Sequence, residues 1–294
     1  MNLVSLSGSS IERVQDGCIN TGINTLDGFE RVLRIDLNQA ERTIQGHLYL
    51  TRHFLKAVGK DPRQVSVEEI RSYLATFQDK SASTRANLLK SLKRFYCDFL
   101  KMPQVVESFK FPKRSYTPKT VPSKDDLRSF FDTLENDRDR AFFLLAASSG
   151  LRRNELLGLT LGDLDLENRT IIPKNAHQNA STKNSWISCF NTEALEYLRR
   201  FLENRSESTT LWQVGETAFR KAFNKANKKT GLHITPQVLR FWFANEMSRL
   251  GMSDRFIDAL QGRTPRTVLA RHYSDFSKER LKEAYDKANL TVMA

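Results

Sequence analysis

Four residues far apart in a chain of 294 have side chains that can hold an anion or act as a nucleophile: Arg152, Arg240, Arg263 and Tyr273. A guanidinium is planar, permanently charged and forks onto two oxygens at once, which suits it to phosphate. A phenol, with a reference pKa near ~10, becomes a useful nucleophile only where cations stabilise its phenolate. Arg152 stands in Gly150-Leu151-Arg152-Arg153-Asn154-Glu155-Leu156, where a small-residue turn ends one helix and starts the next. The spacing places Arg152 in the first turn of that second helix, with Glu155 on the same face to fix its guanidinium. The same pair also reads as an ordinary surface ion pair. Arg240 stands in Thr235-Pro236-Gln237-Val238-Leu239-Arg240-Phe241-Trp242. Thr235 is a helix cap, Pro236 suits the first helical position, and Phe241 and Trp242 mark a buried helix. An arginine there must meet an anion or reach the rim. Leu260-Gln261-Gly262-Arg263 follows and, about ten residues later, Arg271-His272-Tyr273.

The elements that must position these groups are mostly helices. Leu48, Leu50, Phe54, Leu55 and Val58 form one apolar stripe, and Ile70, Tyr73, Leu74 and Phe77 recur at helical spacing after a Ser66 cap. Ser83 is read as the cap of a further helix with Leu88, Leu89, Leu92, Phe95, Tyr96 and Phe99 facing inward. Arg85, Lys90, Lys93 and Arg94 lie on or near that helix and suit DNA phosphates, although a solvated face has the same composition. Residues 1–30 read as a mobile arm, 31–102 as a helical domain, 103–120 as a proline-bearing basic linker and 121–294 as a second domain. The second domain opens at a Ser123 cap and contains an apolar helix from Ala141 to Ala147. Two strands are expected at Ile171-Ile172 and Trp186–Phe190, joined by the polar segment Lys174–Lys183.

A content of 39% hydrophobic residues is enough for real cores, and the net charge of +12 points to an anionic partner, most often nucleic acid. Three widely separated cysteines (Cys18, Cys97, Cys189) and five scattered histidines argue against a disulfide framework or a zinc site, so no cofactor or metal is expected. Neither a membrane-length apolar run nor a signal-peptide pattern is present, and a cytoplasmic location is expected.

Taken in order, Gly-Leu-Arg-x-x-Glu-Leu at 150–156, a lysine in a hairpin, x-x-Leu-Arg at Arg240, Gly262-Arg263 and Tyr273 resemble the tyrosine recombinase (integrase) family. The resemblance covers about 150–273, and the preceding helical stretch resembles that family's core-binding domain. It implies a mainly α fold of two domains, an N-terminal SAM-like core-binding domain and a catalytic domain with a small antiparallel sheet. It also implies that Tyr273 attacks DNA phosphorus to form a 3′-phosphotyrosyl bond while Arg152, Arg240 and Arg263 hold the phosphate. Lys183 matches the hairpin lysine, the general acid, with Lys174 as rival. Two positions depart from the bacterial pattern: Gln237 stands where His or Lys is usual, and Arg263 where His is usual. The arginine is similar to fusellovirus-type archaeal integrases of viruses and plasmids. Gln237 can donate a hydrogen bond to DNA but cannot deliver a proton.

The expected reaction is therefore site-specific recombination of double-stranded DNA without ATP, integrating or excising a mobile element. Four protomers are expected on the recombining DNA, a monomer in solution and no membrane partner. The helix around Leu281–Leu290 is left between packing on a neighbour and packing on its own domain, and Tyr285 is read as a helix-packing residue. A type IB-like topoisomerase shares the same active-site logic. A DNA-binding architectural protein with a decayed site is the reading that Gln237 favours.

Overall fold

The computed structural model describes residues 25–113, 115, 118, 120–173, 187–203, 208, 210–263 and 275–294. The chain divides into two compact units, Met1–Pro118 and Lys119–Ala294.

In the first unit, helix α1 (residues 25–31) runs into a π-helical turn, Val32–Asp36. Helix α2 (Glu41–Val58) ends at Gly59 in the left-handed region, α3 (Val67–Ala75) follows, and α4 (Ala82–Lys93) continues as a π-helical turn, Arg94–Phe99. Ser66 caps α3 in a reciprocal capping box with Glu69, as its sequence suggests. The cap of α4 is Ser81 and not Ser83, which lies inside the helix; both precede a polar run, and only geometry separates them. Residues 25–30, read from composition as the end of a loose arm, are helical and bury Phe29 against Phe95 and Phe99. Leu33, Ile44, Leu48, Phe54, Ile70, Leu88, Leu92 and Tyr96 complete this core. Val105 and Val106, inside the stretch read as linker, also belong to it.

The second unit is built round α6 (Asp137–Ser149), preceded by α5 (Lys124–Asp132), which Ser123 caps with Asp126. From Ala141 to Ser149 every residue of α6 is buried, because α6 is the central rod against which the other elements pack. After α7 (Arg153–Leu157), β1 (Leu164–Asp165), β2 (Thr170–Ile171) and β3 (Ser188–Cys189) form a three-stranded antiparallel sheet in the order 1-2-3. Ile171 faces Leu164 on one side and Ser188 on the other. β1 has no strand-like alternation in sequence. The second expected strand shrinks to Ser188–Cys189, with Trp186 outside the described residues. Helices α8 (Thr192–Glu203), α9 (Glu216–Thr230), α10 (Pro236–Arg249), α11 (Asp254–Leu260) and α12 (Lys278–Ala288) follow. Helix α12 packs within its own unit, burying Leu281 and Tyr285, and Leu290 and Val292 after it join the same core. The Glu193 carboxylate accepts from the backbone N–H groups of Val292 (2.7 Å) and Met293 (2.9 Å), pinning the last residues. Among the described residues no helix is long and apolar enough to cross a membrane.

Candidate active site

Two helix ends and the flank of a third helix make the site. Helix α6 stops at Gly150, whose φ of 62° is left-handed. A Cβ at this position would lie 2.4 Å from the Phe243 ring of α10, so only glycine lets the turn and α10 approach this closely. Helix α11 stops in the same manner: Gly262 has φ 60°, its N–H bonds Ala259 O (2.8 Å), and Arg263 N–H bonds Asp258 O (2.8 Å). This pair of bonds is a Schellman motif.

Arg152 is the N-cap of α7, one position before the first turn expected for it. Its Nη1 donates to Glu155 Oε1 (2.8 Å), its backbone N–H donates to Glu155 Oε2 (2.7 Å), and its Nη2 donates to Gly262 O (2.8 Å). Glu155 thus fixes the guanidinium, as its spacing suggests. Arg240 is only 6% exposed. Its Nη1 donates to Gly150 O (2.6 Å) and its Nη2 to Gln261 O (2.7 Å). Burial, followed by repulsion from Arg152, lowers its pKa to about 10, which leaves it charged at neutral pH. Arg263 adds to that repulsion, while Glu155 and Asp258 oppose it. Arg263 itself donates to Asp258 Oδ1 (2.8 Å). The three arginines are therefore neighbours, and among the described residues the carboxylates of Glu155 and Asp258 stand beside them. Among the described residues Arg240 donates to main-chain carbonyls and to no carboxylate, an arrangement suited to binding an anion. The adjacent Arg153 turns the other way, to Glu216 (2.8 Å).

The turn that carries Arg152 is braced from three directions. Three consecutive carbonyls each accept from a different element: Ser148 O from the Tyr285 hydroxyl of α12 (2.7 Å), Ser149 O from the Ser188 hydroxyl of β3 (2.6 Å), and Gly150 O from Arg240 of α10. Tyr285 is thus a buried packing residue with a specific bond.

Gln237 is exposed in the first turn of α10, whose cap Thr235 accepts from Val238 N–H (3.3 Å). Tyr273, Lys183 and the rival Lys174 lie outside the described residues, as do Arg271 and His272. In the first unit, Lys90, Lys93 and Arg94 line one cleft of about 300 Å³ with Cys97, Asp98 and Phe111. Lys93 stands over the Phe111 ring (5.7 Å), and Arg94 pairs with Asp98 (2.7 Å). Arg85 does not line that cleft; it is half-buried and donates to Gln78 (2.8 Å). Sequence reasoning missed the carbonyl acceptors, Asp258 and Gln261. For Gln261 a signal existed: a polar residue between an apolar helix end and a terminating glycine. For the carbonyls there was none, because every residue has one. Among the described residues no group of three His, Cys, Asp or Glu side chains could hold a metal ion.

The chain belongs to the phage integrase family. The model of that family matches residues 122–280, and the model of its N-terminal SAM-like domain matches residues 26–104. It is a site-specific recombinase of the tyrosine class, which cleaves and rejoins DNA. It is similar to the tyrosine recombinase XerA of Pyrococcus furiosus, 26% identical over 285 residues that cover 90% of this chain and 94% of the relative. The tyrosine recombinase XerC of Halalkalibacterium halodurans is 25% identical, with 88% of this chain and 95% of that one covered. Among solved structures, the lambda integrase tetramer bound to a Holliday junction shares the fold, with a TM-score of 0.65 at 17% identity over 92% of this chain and 86% of that one. The Tn1549 transposon integrase in complex with circular intermediate DNA has a TM-score of 0.64 at 19% identity, covering 88% and 98%.

Proposed function

We propose that this recombinase cuts double-stranded DNA with Tyr273 and holds the scissile phosphate with Arg152, Arg240 and Arg263. The observation that carries this reading is the convergence of three arginines from α7, α10 and the end of α11 on one place, with two carboxylates beside them among the described residues. The Tyr273 oxygen attacks phosphorus, the bond from phosphorus to the 5′-oxygen breaks, and a 3′-phosphotyrosyl bond forms. The phenol proton leaves to solvent, and Lys183 gives the departing oxygen a proton. Attack by a 5′-hydroxyl reverses the step, so joining uses no ATP. The arginines neutralise the charge that grows on the non-bridging oxygens, which is usually the largest catalytic contribution.

Lys90, Lys93, Arg94 and Arg85 of the first unit, the basic stretch 103–120 and Gln237 contact the DNA backbone or bases. Strand exchange joins two duplexes, so four protomers act together on DNA, with a monomer in solution. The lambda integrase tetramer on a junction supports this reading by its fold alone. The substrate is the attachment site of a mobile element, and the enzyme works in the cytoplasm.

The test is incubation with supercoiled plasmid and with paired duplex sites, followed by a denaturing gel. A protein–DNA adduct is expected, absent in Tyr273→Phe, together with exchanged strands. Relaxation without exchange would point to a topoisomerase, and tight binding with no adduct to an architectural protein.

A further inference from the structure

We infer that Gln261 is a positioning residue for the phosphate-holding arginines, acting through Arg240. Gln261 is fully buried, at 0% exposure, beside a permanently charged group. Residues 240 and 261 are joined by two reciprocal bonds: the Gln261 amide donates to Arg240 O (2.8 Å), and the Arg240 guanidinium donates to Gln261 O (2.7 Å). Each side chain therefore holds the other residue's main chain. The next carbonyl, Gly262 O, holds Arg152 (2.8 Å). A shift of this short segment therefore moves the acceptors of two guanidinium groups at once.

The energetics favour a role beyond filling space. An apolar residue would fill the same buried volume at no polar cost. A buried amide is costly unless bonded, and here Oε1 has no donor among the described residues. The amide thus sacrifices part of its hydrogen-bonding capacity to make one bond, the bond to the residue that carries the buried cation. Schellman closure at Gly262 fixes the main chain of α11 on itself but not on α10. The Gln261 amide fixes it on α10 at this point, together with the returning bond from the Arg240 guanidinium.

This inference rests on the proposed role of Arg240 at the phosphate. The measurement is the single-turnover cleavage rate of the full chain on saturating suicide duplexes, with DNA Kd and thermal unfolding recorded alongside. Gln261→Leu is expected to slow cleavage about 10- to 100-fold, as for loss of a bond that orients a charged group. Kd should change less than about 3-fold, because most affinity comes from other phosphate contacts. In an Arg240→Lys background, whose ammonium cannot span Gly150 O and Gln261 O, Gln261→Leu should slow cleavage by less than about 3-fold further. An equal loss in both backgrounds would make Gln261 a general packing residue and overturn the inference, as would an unchanged rate in Gln261→Leu. If Gln261→Leu fails to fold, Gln261→Met gives the same comparison with an unbranched side chain. Failure of the wild-type chain to form any adduct would instead sink the proposed function.

Discussion

The two units use positive charge in opposite ways. In the catalytic unit, Arg240 is buried, and two of its guanidinium N–H groups are committed to main-chain carbonyls at 2.6 and 2.7 Å. In the first unit, Lys90 is exposed, Lys93 lies over an aromatic ring, and Arg94 pairs with the Asp98 carboxylate one helical turn away. A transition state has one geometry, and a guanidinium that need not reorganise stabilises it most. A duplex backbone is met along a surface, and mobile cations can follow it at little cost. Under the proposed function the contrast separates charge that does chemistry from charge that holds DNA, and each half can be broken separately.

The largest effect is expected at Arg240. Arg240→Ala should cut the cleavage rate at saturating DNA by about 10³-fold while weakening Kd by less than about 10-fold. Comparable losses in both would place Arg240 among ordinary anchors and dissolve the contrast. Gly150→Ala comes next. The positive φ and the Phe243 ring at 2.4 Å should together destabilise the catalytic unit by about 2–3 kcal/mol, read as a lower unfolding midpoint. An unshifted midpoint would show that α10 can retreat from the turn.

In the first unit the effect should be smaller and of another kind. Lys90→Ala with Lys93→Ala should weaken DNA binding and reduce the slope of log K against log salt by about 0.9 per lost phosphate contact. The cleavage rate at saturation should not change; a slowed rate would draw these lysines into the chemistry. The smallest effect concerns His47, buried against Ser91 (2.8 Å). Burial, followed by repulsion from Lys90 and Arg94, lowers its pKa below the usual 6.5. Below about pH 6.5 the unfolded chain takes up a proton there that the folded chain refuses, so stability falls as pH drops through that window. Unfolding midpoints between pH 7.5 and 5.5 should show the loss, reduced in His47→Gln. Equal slopes in the two proteins would exclude His47 as the cause.

Much of the site was legible in sequence because it rests on local rules. Gly150 and Gly262 end helices, Thr235 caps one, and Glu155 lies one turn from Arg152. Each signal spans a few residues. What was illegible spans many: nothing near Arg240 in sequence marks Gly150 O or Gln261 O as its partners, 90 and 21 residues away. The edges of the first unit were misread for a similar reason. Residues 25–30 and Val105–Val106 look like loose chain by composition, and only a distant aromatic cluster around Phe95 makes their burial worthwhile.

The three-way brace on the turn before Arg152 has a consequence for redundancy. Its donors come from α12, β3 and α10, so no one element carries the turn by itself. With the Tyr285 hydroxyl removed, Ser149 O and Gly150 O keep their donors, and the turn is loosened at one carbonyl of three. Damage to this corner should therefore accumulate by steps as donors are lost together.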